Sequence, residues 1–244
     1  MPEFTFKEND TEGLNTLEAV QEADQFNRWM ADVVIPHLHG DILEVGSGIG
    51  NISAFFLEQG ARITLSDIRQ PYCQALQEKF PGTEVLHMDL VDPDFKSRFS
   101  GRAGSFDSIF ALNVVEHIED HVLALRNMFW LLKPGGRVLI LVPAGPWLYN
   151  RIDAGLYHFR RYTARTLGGT LAEAGFSVER TWYFNALGIP AWMTGGWILR
   201  ERELRKGQMN AYDKLVPLAK VLDRITFQRL GLSVLALGIR PGEQ

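Results

Sequence analysis

Residues 42–51, ILEVGSGIGN, constrain this chain more than any other stretch of its sequence. An apolar run carrying Glu44 near its end gives way to Gly46, Ser47, Gly48 and Gly50, and a helical pattern follows directly. Glycine is needed where a backbone turns sharply and where a ligand must come close to the main chain. The helix after such a loop offers its free N–H groups to whatever sits there. Three readings compete. The dinucleotide fingerprint requires G-x-G-x-x-G or A, and its last place is held here by Asn51. Glu44 would repel an approaching pyrophosphate, whereas it would attract a sulfonium or ammonium ligand. A P-loop is excluded because no G-K-S/T follows. A tight turn without a ligand would weaken the start of the helix for no structural return.

The pattern around the loop sets the fold class. Short apolar runs at 42–45, 62–66, 84–87, 108–112 and 137–142 predict strands, and amphipathic segments at 51–59, 72–80 and 120–132 predict the helices between them. The turn Lys133-Pro134-Gly135-Gly136 precedes the fifth strand. Farther on, 163–174 reads as a helix, and 177–184 and 233–239 read as strands. An amphipathic helix is predicted over 14–35. These spacings predict an α/β chain: a doubly wound, Rossmann-like sheet of seven mostly parallel strands, with an N-terminal helix and a helical insertion between the last two strands. Ligands of such sheets bind at the edge where the strands end.

Composition narrows the classes further. The 25 basic and 29 acidic side chains leave a charge of -4, which gives no electrostatic case for a nucleic-acid partner. A lone cysteine, Cys73, excludes an intramolecular disulfide framework and a multi-cysteine zinc site. The polar, acidic start lacks signal-peptide character, and no apolar run reaches the roughly 20 residues that span a bilayer. A cytoplasmic protein is expected.

E-x-G-x-G-x-G at the end of the first strand resembles the cofactor loop of class I S-adenosylmethionine-dependent methyltransferases. Asp67 closes the second strand in ITLSD, where that family grips both ribose hydroxyls, with Ile68 beside it. Asp89 follows the third strand in HMDL, where the family holds the adenine amino group and Leu90 flanks the ring. Residues 111–117, ALNVVEH, lie beside the methionine part of the cofactor in similar proteins and bring Asn113 there. LKPGGRVLILVP resembles the family's fifth strand and the turn before it. The resemblance covers about residues 40–143. It implies S-adenosylmethionine as cofactor and S-adenosylhomocysteine as product. It also implies one domain over 1–244: a helical cap (1–40), a cofactor-binding core (41–143), an acceptor loop with helical cover (144–232) and a last strand (233–244).

Methyl transfer is an in-line displacement at an activated carbon, so the protein must align the acceptor and exclude water. A base is needed only when the acceptor must lose a proton. His117 is the first candidate base, against the plainer role of packing on the cofactor loop. Ubiquinone-pathway O-methyltransferases have a similar stretch, E-x-x-E-H, that can hold a divalent metal. Asn113 replaces its first acid here, leaving Glu116 and His117, and no metal is expected. A second stretch, D-x-x-x-G-H-x-R-R-Y-T, occurs in a group of bacterial methyltransferases and is matched by Asp153, His158, Arg160, Arg161, Tyr162 and Thr163. Tyr157 stands in the glycine's place, which predicts a different local turn. His158 is the second candidate base. Arg160, Arg161 and Tyr162 suit an anionic acceptor, a carboxylate or phosphate, with one arginine facing inward and the other on Asp153 or solvent. The competing role is a salt-bridged staple of the loop.

Trp29 and Arg28 either touch the methionyl end of the cofactor or serve as a core tryptophan and a surface arginine. Residues 185–199 carry no charge and two tryptophans, and the charged, arginine-rich run 200–206 follows. Leu215, Leu218, Val221, Leu222 and Ile225 form a further helical stripe. A cover over the acceptor site, a homodimer interface and a peripheral membrane contact all fit this insertion. The expected activity is O- or N-methylation of a small-molecule acceptor, anionic or lipid-linked. The alternatives are a different S-adenosylmethionine reaction and a nicotinamide-dependent oxidoreductase.

Overall fold

Residues 11–199, 201 and 206–242 are described in the computed structural model of the chain; of the run 200–206, only Glu201 and the backbone of Lys206 fall among them. Two helices, α1 (Thr11–Gln21) and α2 (Asp24–Val34), stand where the sequence pattern predicts one. The break has a physical reason. Ala23 leaves helical geometry, and Asp213 accepts the Phe26 N–H at 2.8 Å, capping the first turn of α2 from a distant helix.

Strands and helices then alternate: β1 (Asp41–Val45), α3 (Ser53–Glu58), β2 (Arg62–Asp67), α4 (Gln70–Lys79), β3 (Val85–His87), α5 (Phe95–Arg98), β4 (Phe106–Leu112), α6 (His121–Leu131) and β5 (Leu132–Pro143). There follow α7 (Arg151–Gly155), α8 (Ala164–Glu173), β6 (Ser177–Phe184), α9 (Gly188–Met193), α10 (Lys206–Asp213), α11 (Val216–Ile225) and β7 (Ser233–Ile239). The seven strands form one sheet in the order β3-β2-β1-β4-β5-β7-β6, with β7 antiparallel to both neighbours. β5 is longer than predicted. Phe106 pairs with Leu132 and Ser108 with Arg137, so the Pro-Gly-Gly turn bulges out of a strand that continues on both sides.

The central strands are apolar on both faces because helices cover both. Along β5, Val138, Ile140 and Val142 join one core with Ile109, Met128 and Leu167, while Leu139 and Leu141 join the other with Phe56, Phe110 and Trp182. Burial of each such side chain contributes about 1.5–3 kcal/mol. Phe56 of α3 stacks on Phe110 of β4 at 4.8 Å between ring centroids, fixing the helix after the glycine loop against the sheet. Strand order reverses between β1 and β4, and the loops leaving their carboxyl ends meet there.

The insertion between β6 and β7 is pinned by Asp223 of α11. Its buried carboxylate accepts the N–H groups of Asn185 (2.7 Å) and Ala186 (2.8 Å) at the end of β6. The opposite face of α11 leaves Leu218, Val221 and Ile225 exposed, with Leu215 just before it. Among the described residues, no helix is long and apolar enough to cross a membrane.

Candidate active site

The glycine loop is held from both sides. Ser47 donates its N–H to the Ser66 carbonyl at 2.8 Å, and Gly48 donates to the Asp67 carboxylate at 2.9 Å. Gly48 has φ +56°, and a Cβ there would lie 3.1 Å from the Leu17 side chain. A Cβ on Gly46 would overlap Val114 outright. These glycines therefore serve the close approach of one protein segment to another.

Glu44 is buried and does not lie open at the loop. Ser53, at the start of α3, donates to it. Burial pushes its pKa up to about 7, against the pull of the Ser53 and Ser47 hydrogen bonds. Asp67 is buried as well, and burial raises its pKa, although the Arg69 and Gly48 N–H groups oppose the shift. Asp67 Oδ2 takes the Gly48 N–H and Oδ1 the Arg69 N–H, both at 2.9 Å. Ile68 follows directly. Asp89, half-buried, accepts the Val91 N–H at 2.9 Å, while Leu90 is buried beside it. Asn113 is exposed just past β4 in a left-handed conformation, φ +55°, that asparagine tolerates better than most residues.

α1 lies over the loop, within the segment that the sequence reads as a helical cap, although Leu17 was not expected to be the residue in contact. Leu17 lies over Gly48, and the Asn51 side chain donates to the Leu17 carbonyl at 3.1 Å. Trp29 is buried against Phe184 at 4.2 Å between centroids, and Arg28 is exposed over the Phe55 ring. They take the core and surface roles.

A second group of side chains meets the loop after β4. Asp153 of α7 is fully buried and bonds both His158 Nδ1 (2.8 Å) and Arg161 Nε (2.7 Å). Burial alone would raise the Asp153 pKa, but His158 and Arg161 outweigh it and hold it below the usual value. Burial lowers the His158 pKa, against the pull of Asp153. Arg161 also donates to the Ala144 carbonyl and lies over the Trp192 ring. Arg160 donates to the carbonyls of Ile118 and Glu119, both at 3.0 Å. The Tyr162 hydroxyl meets His121 Nδ1 at 2.7 Å. These bonds staple the loop to β5 and to the segment before α6. Tyr157 corrects one expectation: with φ +60° it makes the left-handed turn that a glycine would make. The turn is therefore kept, with strain, because His158 N–H must still reach the Asp153 carbonyl.

Glu116 and His117 face this staple. The His117 and His158 ring centroids are 4.7 Å apart, and Glu116 Oε1 lies 4.0 Å from His158 Nε2. Burial pushes the Glu116 pKa up to about 8. Although His117 keeps an exposed surface, the atoms crowded around its ring and the neighbouring His158 hold its pKa well below the ordinary value. Sequence spacing gave no sign that His158 would reach Glu116, because the two lie on separate segments that meet through the Phe159 N–H to the Glu116 carbonyl and through Arg160 to the carbonyls of Ile118 and Glu119.

A family model described as a methyltransferase domain matches residues 18–181, from α1 through most of β6. The chain belongs to this methyltransferase family. Within it, the sequence is 26% identical over 137 residues to an uncharacterized methyltransferase of Mycobacterium bovis, a match covering 55% of this chain and 64% of that protein. It is also 26% identical over 153 residues to a ubiquinone biosynthesis O-methyltransferase of Pseudomonas aeruginosa, covering 57% and 65%. The chain thus spans a little under two thirds of the length of these curated relatives. Its fold resembles a SAM-dependent methyltransferase from Archaeoglobus fulgidus (TM-score 0.60, 14% identity, 88% and 94% of the two chains). It also resembles phosphoethanolamine N-methyltransferase 2 of Haemonchus contortus in complex with S-adenosyl-L-methionine (TM-score 0.62, 14% identity, 99% and 61%). Two braced groups of side chains thus stand at this edge of the sheet, a glycine loop held by Asp67 and a histidine cluster held by Asp153.

Proposed function

We propose that this methyltransferase domain transfers the methyl group of S-adenosylmethionine to an oxygen or nitrogen of a small-molecule acceptor. The carrying observation is the braced loop: a buried Asp67 carboxylate sets the Gly48 backbone and keeps lone pairs for a ribose. The residues fit that cofactor. Gly46, Ser47, Gly48 and Gly50 shape its cradle, with Glu44 behind them; Asp67 and Ile68 take the ribose. Asp89 and Leu90 take the adenine, and Asn113 borders the methionyl end. When bound, the sulfonium supplies a methyl already activated for displacement, so the protein's task is alignment.

His117 and His158 are the groups that would draw off an acceptor proton, directly or through what they bind. An anionic acceptor would meet Arg160, which is only half-buried, while Arg161 and Tyr162 are held by Asp153 and His121. A lipid-linked acceptor finds support in the exposed Trp197, Ile198 and Leu199, whose segment packs on α7. Incubation with methyl-labelled S-adenosylmethionine and a fractionated small-molecule extract tests the reading. Label in an organic acceptor, absent from a His158→Ala control, supports it. Label remaining entirely in the cofactor across all fractions would sink it.

A further inference from the structure

Glu116 is fully buried, and neither of its carboxylate oxygens has a hydrogen-bond partner among the described residues. A bare buried carboxylate is costly unless something compensates it, and the compensations are a proton, a paired cation or a coordinated metal. Arg161, whose charge acts on Glu116, gives its Nε to Asp153 and Nη1 to the Ala144 carbonyl. What Glu116 faces instead is two imidazoles. One ligand atom from each of Glu116, His117 and His158 lies within 4.8 Å of the other two.

We propose that Glu116, His117 and His158 form a binding site for one divalent transition-metal ion. Two observations beyond the cluster support it. First, Asp153 takes His158 Nδ1 at 2.8 Å, so the proton sits on Nδ1 and the Nε2 lone pair is aimed toward Glu116. A carboxylate behind a histidine in this way is the common support of metal-bound imidazole. Second, the 4.0 Å between Nε2 and Oε1 is too long for a hydrogen bond and leaves a gap between two unsatisfied acceptors. Four-coordinate zinc places its donor atoms about 3.4 Å apart, so a shift of about an ångström, within reach of the exposed His117, closes the site. That exposure also leaves an open side for a water or a substrate oxygen.

Two imidazoles and one carboxylate suit zinc and its neighbours, whereas magnesium and calcium favour all-oxygen sets. The expectation of no metal counted two ligands on one segment. Folding brings the third from the other side of β5. For its role, though not for its existence, the inference rests on the methyl-transfer reading: an ion here would hold an acceptor oxygen and ease its deprotonation.

Calorimetric titration of the chelator-stripped full chain tests the site, with Zn²⁺, Mn²⁺ and Mg²⁺ as separate titrants and S-adenosylhomocysteine titrated in parallel. The expected result is one Zn²⁺ per chain, with Mg²⁺ at least about tenfold weaker. Glu116→Gln and His117→Asn should each weaken Zn²⁺ by at least about tenfold. His117 is exposed, so its variant keeps the test open should Glu116→Gln fail to fold. No Zn²⁺ uptake, or uptake unchanged in both variants, would overturn the site. If S-adenosylhomocysteine still binds in that case, the methyl-transfer reading stands without the metal. Zn²⁺ uptake without S-adenosylhomocysteine binding overturns the methyl-transfer reading and leaves the site.

Discussion

The Gly48 amide donates to the Asp67 carboxylate across 2.9 Å, joining the glycine loop after β1 to the end of β2. One buried side chain thus fixes the loop and, in the proposed reading, grips the ribose. Asp67→Ala removes both functions. It should weaken S-adenosylhomocysteine by at least tenfold, about 1.4 kcal/mol. It should also cost about 1–3 kcal/mol of stability by leaving the Gly48 N–H unpaired. Calorimetry and thermal melts read the two effects separately; an unchanged affinity would remove Asp67 from the cofactor site.

Gly48→Ala should be destabilising even without ligand. Its φ of +56° costs an alanine about 1–2 kcal/mol, and the new methyl also presses on Leu17. At about 2–4 °C per kcal/mol for a chain of this size, the melting temperature falls by several degrees. Leu17→Ala in the same chain should restore only the contact part. Full restoration would mean that the backbone is not strained there.

The two adjacent arginines should separate cleanly. Arg161→Ala leaves Asp153 buried without its guanidinium partner and should cost about 3–5 kcal/mol. Arg160→Ala removes bonds to two carbonyls near the surface and should cost about 1 kcal/mol. Its larger effect should be a raised KM for an anionic acceptor with kcat little changed. Equal melting temperatures for the two variants would contradict the staple.

Stability should depend on pH through Glu44. Its folded pKa of about 7 lies above its ordinary 4.5, so the folded state holds an extra proton between those values. That stabilisation is complete below about pH 4.5 and is lost as pH rises through 7, up to about 3 kcal/mol. Against Glu44→Gln, which carries no titrating group, the wild type should lose ground across this window and stay level above it. A difference that is flat with pH would refute the shift.

Much of the fold was legible because the buried central strands read as short apolar runs, separated by amphipathic helices and turn residues. β6 and β7 fall on their predicted residues, 177–184 and 233–239. The single N-terminal helix failed because its break depends on Asp213, almost two hundred residues away. The loop acids were readable from order and spacing, yet their geometry was not: Glu44 turned out to brace α3 through Ser53. Arg160 and Arg161 read either as an anion site, because adjacent arginines beside a histidine look like one, or as a salt-bridged staple of the loop. Asp153, a partner the sequence offered, does hold Arg161, but the other partners, the carbonyls of Ile118, Glu119 and Ala144, are backbone atoms that no residue pattern announces. The meeting of His158 with Glu116 is likewise a product of tertiary packing.

The most direct measurement is calorimetric titration of the full chain with S-adenosylhomocysteine. One saturable site per chain, weakened by Asp67→Ala, is the predicted result. An absence of heat at millimolar ligand, with the protein folded by circular dichroism, would contradict the braced loop as a nucleoside site and the methyl-transfer reading with it.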